Sequence, residues 1–241
     1  MTEKIRGIVL DIRKHNDNNN IVTLFTPSHG RLTFISSVSS SRAGRLRQAR
    51  LLPLALIETE FNYNPSKNFH RLGTFSLSEV WDDIYFNPIK RIMIFFISEF
   101  LNRIIRASMP DPLLWSHIKE SITYFNNDKD RFYDFHLTFL ISTLQFLGIQ
   151  PDSTTYSNGY IFDMREGKFC YHKPLHNDFL DERESKIASI LLKSGGKCIP
   201  RLKLSRNHRN TILDNLLRYY EIHYPGTGNI RALETIREIL A

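Results

Sequence analysis

Up to about residue 80 the chain is a series of short apolar runs of strand type divided by turn chemistry, and at Asn87-Pro88 that pattern stops for good. A chain whose strands come first and whose helices come after, without alternation, is restricted to the α+β class. Residues 5–12, 21–26 and 31–36 have strand composition with partial period-two alternation, as in IVTLFT and RLTFIS. HNDNNN divides the first run from the second and PSHG the second from the third, with Gly30 able to take a positive φ. LALIETEFNY and, past Pro65, FHRLGTFSLSEV complete a set of five. Five strands on short loops predict a small OB-type barrel, closure being the way such a sheet removes its edges.

Beyond that point the period is helical. Asn87 with Pro88, and Asp111 with Pro112, pair a capping side chain with a proline suited to the first turn. Ile92, Phe96 and Ile104 fall near one face of the first of these helices, and the stripe is broad enough for a mostly buried element. A third helix, within DRFYDFHLTFLISTLQFLG, ends at Gly148, and others are expected at about 181–194, 206–223 and 230–240. GYIFDMREGKFCYHK reads as a hairpin at about 158–173. The expected organisation is a five-stranded OB-fold barrel at 1–80, followed by a mainly α-helical domain at 81–241 that carries the small β-hairpin.

The formal charge is +7 and it is uneven: residues 1–80 hold 11 Lys and Arg against 6 Asp and Glu, residues 81–241 hold 21 against 19. A field concentrated on the barrel favours a polyanionic partner. Its densest part is SSSRAGRLRQAR, with Arg42, Arg45, Arg47 and Arg50 and no acid between Arg31 and Glu58. Serines supply flexible polar backbone there and guanidinium groups supply donors for phosphate oxygens, so a DNA-binding loop is expected, Arg31 included. In EFNYNPSKNFHRLGTF aromatic residues interleave with base. Phe61 and Phe69 read as barrel core, whereas Tyr63, near a strand end, is the expected base-stacking residue beside Lys67 and Arg71.

Enzymatic readings find little support. There is no G-x-S-x-G, no H-E-x-x-H and no nucleophile set beside a local base, and KSGGK lacks the first glycine of a phosphate loop. CYHKPLH offers Cys170, His172 and His176 but no second half for a four-ligand zinc site, so no metal or other cofactor is expected. Two cysteines without a C-x-x-C fit a reduced cytoplasm. The N-terminus has no apolar h-region, and IMIFFISEFL is too short to span a bilayer, so neither secretion nor membrane contact is expected.

With these parts placed, the sequence resembles the RecO family of bacterial recombination mediators along nearly its whole length. GIVLDIRKHNDNNNIVTLFTPSHGRLTFISS is similar to the family's opening strands with their LFTPSHG turn, and LLPLALIETEF to the next barrel strand. DFHLTFLISTLQFLGIQPD is similar to the family helix with a Leu-Gly-x-x-Pro stop, and GYIFDMREGKF to the start of its hairpin. The resemblance implies a non-catalytic, cytoplasmic, nucleoid-associated protein that binds single- and double-stranded DNA and anneals complementary strands. It implies docking to RecR and to the C-terminal tail of single-stranded DNA-binding protein, so that RecA is loaded. Many members carry a four-cysteine zinc site; this chain keeps only Cys170 of it, and the zinc is not carried over. For the acidic tail, an apolar pocket rimmed by base is expected at Lys129, Arg131, Phe132, Phe135 and His136. Two other readings stay open: a basic adaptor that meets an acidic protein, and a metal-dependent nuclease built on Glu79, Asp82 and Asp83.

Overall fold

The computed structural model describes residues 2–106, 108–130, 132–197, 204–228 and 230–239. The chain is α+β, as the sequence predicts, with its first strands interrupted by one short helix, and it divides into two units. The first comprises Met1–Asn127 with Ile230–Ile236, and the second Asp128–Asn229 with Arg237–Ala241.

The first unit is built on a six-stranded sheet: β1 (Thr2–Asn16), β2 (Asn19–Thr26), β3 (Gly30–Ser37), β4 (Leu56–Asn62), β5 (His70–Arg71) and β6 (Phe75–Leu77), in the order β5-β3-β2-β1-β4-β6. β1 is long because it serves two partners, pairing with β4 over Thr2–Ile8 and with β2 over Ile8–Asn16. A register shift between Val9 and Asp11 bends it where the partner changes. Val9, Val22, Leu24, Phe34, Ile57 and Phe61 form the centre of the enclosed core.

The sheet departs from the expected five-stranded closed barrel in two linked respects: it has six strands, and its ladder does not close. The final run, expected as one strand, breaks at Leu72–Thr74; β5 runs parallel to β3 and β6 antiparallel to β4. The break has a cause in Arg47, which donates to Leu72 O at 3.0 Å and Gly73 O at 2.7 Å and so occupies carbonyls a continuous ladder would use. Gly30 takes φ +64° at the β2–β3 turn, where an added Cβ would fall 2.1 Å from Met109 O. Both the backbone conformation and the space therefore demand glycine.

Between β3 and β4 lies α1 (Arg42–Ala49), and after β6 come α2 (Asp82–Phe86), α3 (Pro88–Ile104) and α4 (Pro112–Asn127). Asn87 Oδ1 caps α3 by accepting from Ile89 N and Lys90 N, and Asp111 Oδ1 accepts from Leu114 N, as their positions before proline predict. In the second unit a 3-10 turn at Phe132–Asp134 leads into α5 (Phe135–Thr143). The hairpin forms from β7 (Ile161–Asp163) and β8 (Lys168–Cys170), and a third strand, β9 (Phe179–Leu180), pairs with β7. Phe162 and Phe169 pack at 4.9 Å inside it. α6 (Glu182–Lys193) starts with a capping box of Asp181 and Glu184, and α7 (Arg206–His223) with Ser205 as cap. Glu99 of α3 accepts from the backbone of Arg231 and Ala232, just ahead of α8 (Leu233–Ile239). No helix among the described residues is long and apolar enough to cross a membrane.

Candidate nucleic-acid interface

The arginine stretch, expected as a flexible loop, is an ordered helix. Ser41 Oγ accepts from Gly44 N at 3.0 Å as its N-cap, and no residue of α1 is buried. With no apolar face to dock, α1 is held by polar side chains: Arg47 reaches the β5–β6 link and also lies over the Phe75 ring at 5.4 Å, and Gln48 donates to Ser37 O at 3.0 Å. Arg47 is thus an anchor. Arg42, Arg45 and Arg50 are exposed, and Arg45 donates to Ser40 O. Among the described residues none of these four guanidinium groups forms a salt bridge with a carboxylate.

Arg31 lies elsewhere. Its Nη1 donates to Asn102 O at 3.0 Å and Ile105 O at 2.8 Å, satisfying carbonyls at the C-terminal end of α3, and burial lowers its pKa. Lys67 and Arg71 are exposed, on the β4–β5 loop and on β5. Tyr63 is half-buried, its ring stacked on His70 at 5.6 Å and packed against His29 at 4.3 Å. That ring already has aromatic neighbours and serves the interior cluster of Phe34, Phe61 and His70. Phe69, read from sequence as core, is 48% exposed. The basic surface therefore consists of Arg42 and Arg45 of α1, Arg50 at its C-cap, Lys67 of the β4–β5 loop and Arg71 of β5, joined through the Arg47 anchor at Leu72 and Gly73.

The pocket expected at residues 129–136 is filled from within. Phe132, Phe135 and His136 are 5%, 8% and 1% exposed and pack as core, while Lys129 is exposed; Arg131 lies outside the described residues. Burial foremost, with Arg209 close by, holds the His136 pKa down at about 3, so the ring is neutral in the folded chain. The folded value lies below the unfolded 6.5, so this contribution to stability is complete above pH 6.5 and is lost as pH falls toward 3. At pH 5 the loss reaches about 2 kcal/mol. Denaturant midpoints at pH 7 and pH 5 check this: His136→Gln is expected to flatten the difference, and an unchanged difference would exclude His136 as its source.

An apolar cavity of about 310 Å³ does exist in the second unit, lined by Leu144, Met164, Leu191 and Ile212 among others, with exposed Arg183 and His208. Asp181 and Glu184 also line it, their side chains engaged in the α6 capping box. Sequence reasoning missed it because its walls come from five separate segments.

Cys170 and His176 have partners of their own. The Cys170 thiol donates to His172 O at 3.2 Å, and the His176 ring sits between Asp163 and the Asp178 N–H. Desolvation raises the Cys170 pKa, and no group of three His, Cys, Asp or Glu among the described residues is placed to hold a metal. Cys198 lies outside the described residues. Of the acid cluster, Glu79 pairs with Lys119 at 2.8 Å and Asp83 with Lys90 at 2.6 Å, while Asp82 is exposed; Glu58 pairs with Lys4 and Arg6.

Residues 1–81 match the family model described as Recombination protein O N terminal, and residues 87–229 match Recombination protein O C terminal. Similar relatives named DNA repair protein RecO come from Phocaeicola vulgatus, 30% identical over 241 residues and covering 100% of both chains, and from Bacteroides fragilis, 30% identical over 240 residues and 99% of both. The protein of that name from Flavobacterium psychrophilum is 26% identical over 243 residues, again spanning both chains in full.

Proposed function

This chain belongs to the RecO family, and we propose on that basis that it serves DNA repair and recombination by holding DNA strands on the basic surface of α1 and β5. The observation that carries this reading is that Arg42, Arg45 and the C-cap residue Arg50 are exposed on a helix with no buried residue and, among the described residues, no ion-pairing acid. A helix of that kind contributes little to packing, and its charge is free for phosphates. Contacts to the sugar-phosphate backbone position a strand without reading its sequence, as a mediator that acts on any sequence requires. Annealing follows when two strands are held close with their repulsion screened. No covalent bond is made or broken, which fits the commitment of Glu79 and Asp83 to lysines.

The family's partners complete the reading. An acidic peptide with an apolar end, such as the tail of single-stranded DNA-binding protein, fits the α6–α7 cavity with Arg183 and His208 better than the filled 129–136 segment. Docking of RecR would then couple DNA held on α1 to RecA loading.

Titration of a labelled single strand across a salt series tests the DNA-binding reading. Five exposed cations predict a slope of log K against log salt of about −0.7 × 5, roughly −3.5. A slope near zero, or no binding at moderate salt while an acidic protein partner binds, would favour the adaptor reading instead.

A further inference from the structure

Resting on the DNA-binding reading above, we propose that Phe69 stacks on nucleobases and gives the surface a preference for single strands over duplex. Phe69 is 48% exposed and sits beside a strand whose next member is core. That next member, His70, is 6% exposed and faces inward against Phe34 and Phe61 at 5.8 and 5.1 Å. Successive strand residues face opposite ways, so Phe69 and Arg71 share the outward face.

The backbone that carries the ring is also held in place. His70 Nε2 lies 3.3 Å from Asn64 N and 3.2 Å from Asn64 O, which fastens the start of the β4–β5 loop to the strand that ends it. Lys67 and Arg71 flank Phe69 two residues to either side, both exposed. Arg47 brings α1 to the carbonyls of Leu72 and Gly73, only three and four residues further along. A π-face set among phosphate-binding cations is the arrangement that sequence-independent single-strand binding uses. The other rings of the β4–β5 segment are spent: Phe61 is 4% exposed and Tyr63 is stacked on His70.

Bases in a duplex are stacked on one another and offer no free face, whereas those of a single strand do. Phe69 therefore contributes to one substrate and not to the other. Full-length wild type, Phe69→Ala and Phe69→Trp are titrated against a labelled oligothymidylate and a duplex of equal length, each over a salt series. Phe69→Ala is expected to lose about tenfold on the single strand, with the same salt slope and unchanged duplex affinity, and Phe69→Trp to restore the loss. The indole fluorescence of Phe69→Trp is expected to quench with oligothymidylate and not with inorganic polyphosphate, which carries charge without bases. Equal losses on both DNAs, or wild-type affinity of Phe69→Ala for the single strand, would overturn the stacking role while leaving the DNA-binding reading intact. Failure of wild type to bind either DNA would instead bring down that reading, and the role of Phe69 with it.

Discussion

Replacing Arg42, Arg45 and Arg50 together by glutamate is expected to weaken single-strand binding at about 0.1 M salt by a factor on the order of a hundred or more, while the melting temperature stays within about 2 °C of wild type. The stability half follows from α1 itself. None of its residues is buried, its Ser41 cap is untouched, and glutamate is as good a helix former as arginine. The anchors Arg47 and Gln48, which fix α1 to Leu72, Gly73 and Ser37, remain. The binding half follows from losing three of five exposed cations and adding three repelling charges in their place. Competition between the variant and wild type for one labelled strand, with calorimetry alongside, checks both halves. Wild-type affinity in the triple variant would remove α1 from the interface altogether. Arg47 is excluded from the substitution because its loss would free two carbonyls and the helix together, confusing binding with folding.

That experiment uses a distinction among the arginines which the sequence does not contain. Arg31 and Arg47 look no different from Arg42 in the chain, yet their partners lie 71 to 74 and 25 to 26 residues away. Long-range hydrogen bonds of that kind leave no local trace. The helical state of 42–49 was equally hidden, because α1 buries nothing and so carries no apolar period to read. Features that rest on neighbouring residues came through well: the caps at Asn87 and Asp111, and the β7–β8 hairpin around Arg165-Glu166-Gly167, follow from local chemistry. β9 did not, since two residues are too few to show alternation. Phe132, Phe135 and His136 illustrate an ambiguity of another kind, for an apolar stripe with flanking base describes a core helix and a peptide groove equally well. The exchange between Tyr63 and Phe69 turned on which way His70 faces, a choice fixed by the register of Phe34 opposite His70 in the β3–β5 pair.

Lys90→Ala is expected to destabilise the chain by about 3–5 kcal/mol, from the cavity left by a fully buried stem and the carbonyls left without a donor. Lys90 is fully buried, and its ammonium group meets Asp83 Oδ2 at 2.6 Å, Phe125 O at 2.6 Å and Asn126 O at 3.3 Å, over the Phe125 ring at 5.1 Å. Those two carbonyls belong to the last turn of α4, where no helical N–H follows to meet them, so the cation of α3 ties the start of α2 to the end of α4. Alanine removes the charge and the packed stem together, leaving a cavity beside unmet acceptors. At about 2–4 °C per kcal/mol for a chain of this length, the melting temperature should fall by roughly 6 °C or more. Lys90→Met, which keeps most of the volume, should recover part of the loss, and adding Asp83→Asn should recover more by removing the stranded carboxylate. The same series bears on chemistry. If Asp83 exists to balance Lys90, then Asp83→Asn lowers the melting temperature and leaves strand binding and annealing at low temperature as they were. A magnesium-dependent cleavage activity that disappears with Asp83 while stability does not change would reverse that assignment and return the acid cluster to the nuclease reading.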